Sequence, residues 1–165
     1  MLSVEELIRK FDLKNHPEGG YFTQSYRSSE MISQHALPSR YKGDRSFSTS
    51  IYFLLPSGTV SHLHRITSDE IWHFYSGGPL ELLQLHPDGN MEKVILGQDL
   101  EAGQKVQHVV PAGCWFGARP ADDSPYSFVG CTVAPGFDFA DLELADPADL
   151  CRVFPAFKKD ILRFC

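Results

Sequence analysis

Proline and glycine divide the middle of this chain into short runs, too brief for long helices and rich in residues that favour extended backbone. Pro56-Ser57-Gly58 ends the β-branched and aromatic run RSFSTSIYFLLPSG (Arg45 to Gly58). Pro87-Asp88-Gly89-Asn90 splits LELLQLHPDGNMEKVIL (Leu80 to Leu96), while Pro111-Ala112-Gly113 and Ala134-Pro135-Gly136 divide QKVQHVVPAGCWFGA and YSFVGCTVAPGFDFADLEL. Proline fixes φ and removes a backbone donor, and glycine opens the positive-φ region, so each cluster marks a place where a strand stops and the chain turns. Such signals recurring about every 8–12 residues specify an all-β sandwich or barrel. The Pro-Asp-Gly-Asn turn predicts a hairpin over Leu80 to Leu96, and HPEGGYFTQSYRS (His16 to Ser28) passes from turn residues into a further strand.

Both ends read as helix. Ser3 and Glu6 have the spacing of a capping box, and Val4, Leu7, Ile8 and Phe11 recur at helical intervals. Near the other end, Asp146 is placed to cap a helix with Pro147 in its first position. Leu150, Val153 and Phe154 form its apolar side before Pro155 ends it. No internal repeat or low-complexity linker interrupts residues 1–165, so a single domain is expected.

Charge narrows the function classes. Fifteen Lys and Arg stand against 21 Asp and Glu, a net charge of -6. No basic run supplies the field that a phosphate backbone demands, so nucleic acid is not an expected partner. The opening MLSVEELIRKFDL lacks the apolar core of a signal peptide and no stretch reaches membrane-spanning length, so the expectation is a cytoplasmic protein without a membrane partner. Cys114, Cys131, Cys151 and Cys165 include no C-x-x-C pair and read as reduced thiols rather than a zinc knuckle or redox dithiol.

The chemistry concentrates in SHLHRITSDEIWHFYSGG, Ser61 to Gly78. Alternation along a strand places His62 and His64 on one face, and Glu70, Trp72 and Phe74 on one face of the next strand, with His73 opposite. If Ile66 to Asp69 is a turn between antiparallel strands, His62, His64 and Glu70 converge as a two-histidine, one-carboxylate set for a single divalent transition metal. The same residues also suit a polar pocket that binds an organic ligand without metal.

H-x-H, Glu70 and Gly77, followed by Gly103 and Pro111-Ala112-Gly113, resemble the two motifs of the cupin superfamily. HPEGGYF, IYFLL, SDEIWHFYSG, VPAGCWFGA and VGCTVAPGFDF together resemble the uncharacterised cupin 5 family, among the RmlC-like jelly rolls, over nearly the whole chain. The resemblance implies a double-stranded β-helix barrel with short N- and C-terminal helices, a pocket inside it, and a homodimer. It implies no particular reaction. The spacing departs from the general cupin motif on both sides of the histidines, and Asp69 would restore the carboxylate spacing. The second motif normally ends in a metal-binding histidine, where this chain has Phe116. An apolar ring there argues against a four-ligand metal site unless Gln107 or His108 compensates.

Three readings follow. In the first, by analogy with RmlC-type sugar epimerases, the protein is a metal-independent isomerase of a small, carbohydrate-like ligand. His64 is then the base, Glu70 or Asp69 the orienting acid, and Tyr52 or Tyr75 the proton donor. In the second, His62, His64 and Glu70 hold a metal for oxygenase or hydrolase chemistry. In the third, Trp72, Phe74, Trp115 and Phe116 stack on a metabolite that is bound without turnover, with Asp69 and Gln107 as further ligand contacts. His16 and Glu18 are assigned to the turn in preference to a pocket rim, Arg65 to an outward ion pair, and Asp138 and Asp141 to either a strand edge or the pocket.

Overall fold

The computed structural model describes residues 2–121 and 124–165. Helix α1 (Val4–Phe11) is closed by the expected box: the Glu6 amide donates to Ser3 Oγ at 3.2 Å and the Ser3 amide to Glu6 Oε2 at 2.7 Å. Strands β1 (Lys14–Asn15), β2 (Tyr21–Arg27), β3 (Met31–Ile32), β4 (Arg45–Ser46), β5 (Thr49–Pro56), β6 (Ser61–Arg65), β7 (Asp69–Gly77), β8 (Leu80–Leu85), β9 (Met91–Leu96), β10 (Gln107–Val110), β11 (Trp115–Pro120), β12 (Tyr126–Ala134) and β13 (Glu143–Leu144) follow. Helices α2 (Pro147–Val153) and α3 (Lys158–Ile161) close the chain. Asp146 caps α2 through the amides of Ala148 and Asp149 as its sequence predicts. Val153 is exposed, however, and only Leu150 and Phe154, four residues apart, form the buried side.

Two antiparallel sheets face each other. One has the order β1-β2-β5-β12-β7-β10 and the other β13-β6-β11-β8-β9, while β3 and β4 pair separately. The predicted hairpin is present as β8 and β9, in register from Leu80 with Leu96 to Leu85 with Met91. The arrangement is the expected jelly roll, but the two sheets are not closed into a barrel. Edge strand β9 makes one isolated bridge, from Leu96 to Lys105 in the segment just before the other edge strand, β10, and the opposite edges are the two-residue strands β1 and β13. Too little paired backbone remains at either edge to continue a ladder across. No helix is long and apolar enough to cross a membrane among the described residues.

Three apolar clusters explain why strands such as LELLQL lack clean polar alternation. Between the sheets, Phe53, Leu55, Trp72, Phe74, Leu80, Leu82, Phe116 and Val129 form the main core. On the outer face of the five-stranded sheet, Leu63, Leu83 and Leu85 meet Leu150, Phe154, Ile161 and Phe164 of the C-terminal segment. On the outer face of the six-stranded sheet, Leu54, Tyr126 and Phe128 are covered by Leu7 of α1 and by Leu13. Burial on both faces costs these strands their polar side and holds the sheets rigidly around whatever lies between them.

Candidate functional site

The site is built by a turn and two β-bulges. The HPEGG turn closes through the Gly19 amide to the His16 carbonyl (3.0 Å) and the His16 amide to the Gly20 carbonyl (3.0 Å), then docks on β6 through the His62 amide to the Glu18 carbonyl (2.7 Å). Gly19 has φ 109°, and a β-carbon there would strike the Val60 carbonyl oxygen, so glycine is what lets the turn lie on the strand. The result sends Glu18 inward. Ser61 Oγ donates to Glu18 Oε1 at 2.9 Å, and His64 Nε2 lies 3.0 Å from Glu18 Oε2.

The bulge in β6 decides which histidine joins. His64 pairs with Phe116 and Ser61 with Ala118, so three residues on β6 span two on β11. Simple alternation would give His62 and His64 a common face; the extra residue instead puts Ser61 and His64 inside and leaves His62 exposed. Nor is Ile66 to Asp69 a hairpin turn. The chain crosses there from one sheet to the other, so His64 and Glu70 face the intersheet space from opposite sides.

A cavity of about 80 Å³ opens between the sheets, and its walls include His16, Glu18, Gln24, Arg27, His64 and Glu70. That is room for several water-sized atoms, in the range of a small metabolite fragment. Phe22, Phe137, Phe139, Ile51, Ile66 and Val133 complete the lining; Ile66 and Val133 are buried, whereas Phe139 is exposed. Phe139 belongs to a segment held down by Asp141, which receives two hydrogen bonds from the buried Arg45, at 2.6 and 2.7 Å. Asp141 is therefore a structural anchor, and Asp138 caps the same segment through the Ala140 amide at 2.8 Å.

His64 sits between two acceptors: Nδ1 lies 2.7 Å from the His62 carbonyl and Nε2 3.0 Å from Glu18, so both nitrogens donate and the ring is an imidazolium. Burial by itself would lower its pKa, but the Glu18 charge and hydrogen bond outweigh that and hold it above the usual histidine value. Burial likewise opposes the charge on Glu18, and the His64 charge and hydrogen bond, with the Ser61 hydrogen bond, reverse the effect and hold it low. Glu70 has no such partner. Burial and the nearby Glu18 charge push it up to about 7, with only partial relief from His64 and a hydrogen bond with the Cys131 thiol. His16 is kept neutral mainly by burial, and its Nδ1 accepts the Glu18 amide at 3.3 Å, which leaves the proton on Nε2.

Several residues expected in the site lie elsewhere. Trp72 and Phe74 share the inner face with Glu70 as predicted, but sit in the intersheet core; Trp72 packs edge-on against Phe53 at 5.9 Å and Phe116 at 6.3 Å. Phe116 does not line the cavity and instead backs the His64 ring, 4.1 Å between centroids. Asp69 accepts the Ala112 amide at 2.8 Å and ties down a loop. Gln107 is exposed opposite His73, and His108 accepts from Gln84 Nε2 at 2.8 Å, away from the cavity. Tyr52 and Tyr75 pack with Phe128 on the outer face, because their neighbours Ile51 and Phe74 take the inner one. Trp115 carries Arg65 over its ring at 4.5 Å, and Arg65 makes the expected outward ion pair with Glu143. The residue that sequence reasoning undervalued is Glu18. The only signal was an acid beside His16 and two glycines, a pattern that many turns share.

A sequence profile described as Cupin superfamily (DUF985) matches residues 5–145. The chain belongs to this cupin family. An uncharacterised protein of Saccharomyces cerevisiae is 30% identical over 148 residues, covering 84% of this chain and 73% of the yeast protein. Among solved structures, a hypothetical protein from Leishmania major superposes with a TM-score of 0.89 at 32% identity, over 99% of both chains. A protein from Shewanella oneidensis superposes with a TM-score of 0.87 at 39% identity, over 99% of this chain and 98% of that one.

The donors of this cupin do not fit the metal set that the superfamily motifs imply. His62 faces outward, both His64 nitrogens are hydrogen-bonded, and Phe116 stands where a further imidazole would be. Among the described residues, no group of three or more His, Cys, Asp or Glu side chains is arranged to hold a metal ion.

Proposed function

We propose that the cavity is a metal-independent acid–base site that moves a proton on a small organic ligand carrying a carbonyl group, as in an isomerisation or epimerisation. One observation carries the reading: two buried carboxyls share a cavity, and their surroundings drive their pKa values apart, Glu18 downward and Glu70 up to about 7. Groups separated in this way divide the roles of fixed charge and proton carrier.

Glu70 is the proton carrier, since a group titrating near neutral pH exists in both forms there. As a carboxylate it accepts the proton from the carbon beside the carbonyl; as the acid it returns a proton to the resulting enolate. His64 is not free to act as the base, because both nitrogens already donate. Its charge is paired with Glu18, and it holds that carboxylate in place as the fixed charge whose proximity keeps the Glu70 proton on. The Nε2 proton of neutral His16 is available to hydrogen-bond the carbonyl oxygen.

The test is uptake of solvent deuterium beside the carbonyl, followed by NMR, in a panel of 2-oxo acids, free keto-sugars and nucleotide-linked keto-sugars. The protein should catalyse exchange in at least one class, with a rate that rises as pH approaches about 7. Glu70→Gln should lower that rate about 100-fold or more. Saturable binding without exchange in any class would make the cavity a binding site only and end the catalytic reading.

A further inference from the structure

The second bulge, in β2, carries an inference about what the cavity takes. Gln24 pairs with Ile51 and Arg27 with Thr49, and the register shifts between Gln24 and Tyr26. Odd spacing would put Gln24 and Arg27 on opposite faces of a regular strand. The inserted residue restores the phase, so that Gln24, Arg27, Ile51 and Thr49 all reach the cavity. There Arg27 Nε donates to Gln24 Oε1 at 3.0 Å and a terminal nitrogen to the Phe137 carbonyl at 3.1 Å. These contacts orient the guanidinium and leave it further N–H groups.

Its charge is uncompensated. Arg27 is the one arginine or lysine on the cavity wall and has no carboxylate partner among the described residues. Deeper in, the Glu18 and His64 charges cancel one another and His16 is neutral. A chain with net charge -6 thus presents an oriented cation beside the buried Glu18, His64 and Glu70 cluster.

We propose that Arg27 selects an anionic ligand, one whose carboxylate or phosphate pairs with the guanidinium at the mouth while its other end reaches Glu70. The inference rests on the acid–base reading for the identity of the cavity, and adds the ligand's charge and the residue that reads it. Guanidinium is suited to this because its planar N–H groups meet two oxygens of a carboxylate or phosphate at once.

The experiment is a titration of the 15N-labelled protein, observing the amides of Gln24, Thr49 and Glu70 and the Arg27 Nε–H signal. The probes are pyruvate, its neutral methyl ester, glycerol 3-phosphate and glycerol. Pyruvate, glycerol 3-phosphate or both should shift these signals saturably, with the two neutral probes binding at least about tenfold more weakly. A response to pyruvate alone identifies a carboxylate site and a response to glycerol 3-phosphate alone a phosphate site. Arg27→Gln should weaken anion binding about tenfold or more, and Arg27→Lys should recover part of it. Equal binding of charged and neutral probes, no binding of any probe, or unchanged affinity in Arg27→Gln would overturn the proposal. Arg27-dependent anion binding without deuterium exchange would remove only the catalytic reading, whereas exchange insensitive to Arg27 would remove only this one.

Discussion

The Nε2 of His64 lies 3.0 Å from Glu18 Oε2, with both side chains buried and drawn from segments far apart in the chain. The two charges hold each other in place. Breaking a buried pair by removing one member leaves the other desolvated and unpaired, at a cost of about 3–5 kcal/mol. Glu18→Gln should therefore lose stability of that order in urea unfolding between pH 4.5 and 6.5, where both charges are present even in the unfolded chain's terms. His64 has a raised pKa, so its share of the stabilisation is full below 6.5 and is lost as pH rises through its folded value. Glu18 has a lowered pKa, so its share is full above 4.5 and is lost as pH falls through its folded value. A cost that did not shrink at alkaline pH would argue against the charged pair.

Glu70 predicts the sign opposite to that of Glu18. Its pKa rises from 4.5 to about 7 on folding, so the folded protein holds the proton more tightly and stability falls as pH climbs through that window. At roughly 1.4 kcal/mol per pKa unit, ionising it costs the fold about 3 kcal/mol above pH 7. Glu70→Gln should be more stable than the parent by about 1–3 kcal/mol near pH 8 and show little or no gain near pH 4.5, measured by urea unfolding at both. A gain that was the same at both pH values would contradict the assignment.

Gly19 links the turn to the site. Alanine at φ 109° is strained and its β-carbon meets the Val60 carbonyl, so Gly19→Ala should cost about 2 kcal/mol or more. The larger consequence is local. If the turn lifts from β6, Glu18 retreats from His64, and the His64 pKa measured by NMR should fall towards the ordinary histidine value. A destabilised variant with an unchanged His64 titration would show that the turn does not place Glu18.

Metal content tests the donor argument directly. After exposure to iron, manganese, nickel and zinc and then desalting, plasma mass spectrometry should find no stoichiometric metal that depends on His64. His62→Ala should change nothing, because His62 is exposed. Phe116→His is expected to lose about 2–4 kcal/mol by removing a fully buried ring that packs on His64, without creating a metal site. One metal per chain in the unaltered protein, absent from His64→Ala, would reverse this conclusion.

Local rules were legible along the chain. Pro56, Pro87 and Pro111 with their glycines marked where strands end, Ser3 with Glu6 and Asp146 with Pro147 marked the helices, and alternation put Glu70, Trp72 and Phe74 on one inner face. These features depend on backbone geometry within a few residues, so the residues themselves suffice to specify them. The motifs were equally local, and they pointed to the cupin family that residues 5–145 match.

Tertiary structure decided which of those residues meet. A bulge is a mismatch between two strands, so the register of β6 on β11 and of β2 on β5 cannot be seen in either strand alone. Those two bulges turned His62 out, kept His64 beside Ser61, and brought Arg27 round to Gln24. The same applies to depth: Trp72 and Glu70 share a face, yet one is packed in the core and the other borders the cavity, because the facing sheet fills only part of the space. The sequence by itself determined the principal strands, the helix caps and the family; only the packing of one sheet over the other brought Glu18 to His64 and left Glu70 without an ion-pair partner of its own, since burial and charge pairing belong to the assembled chain.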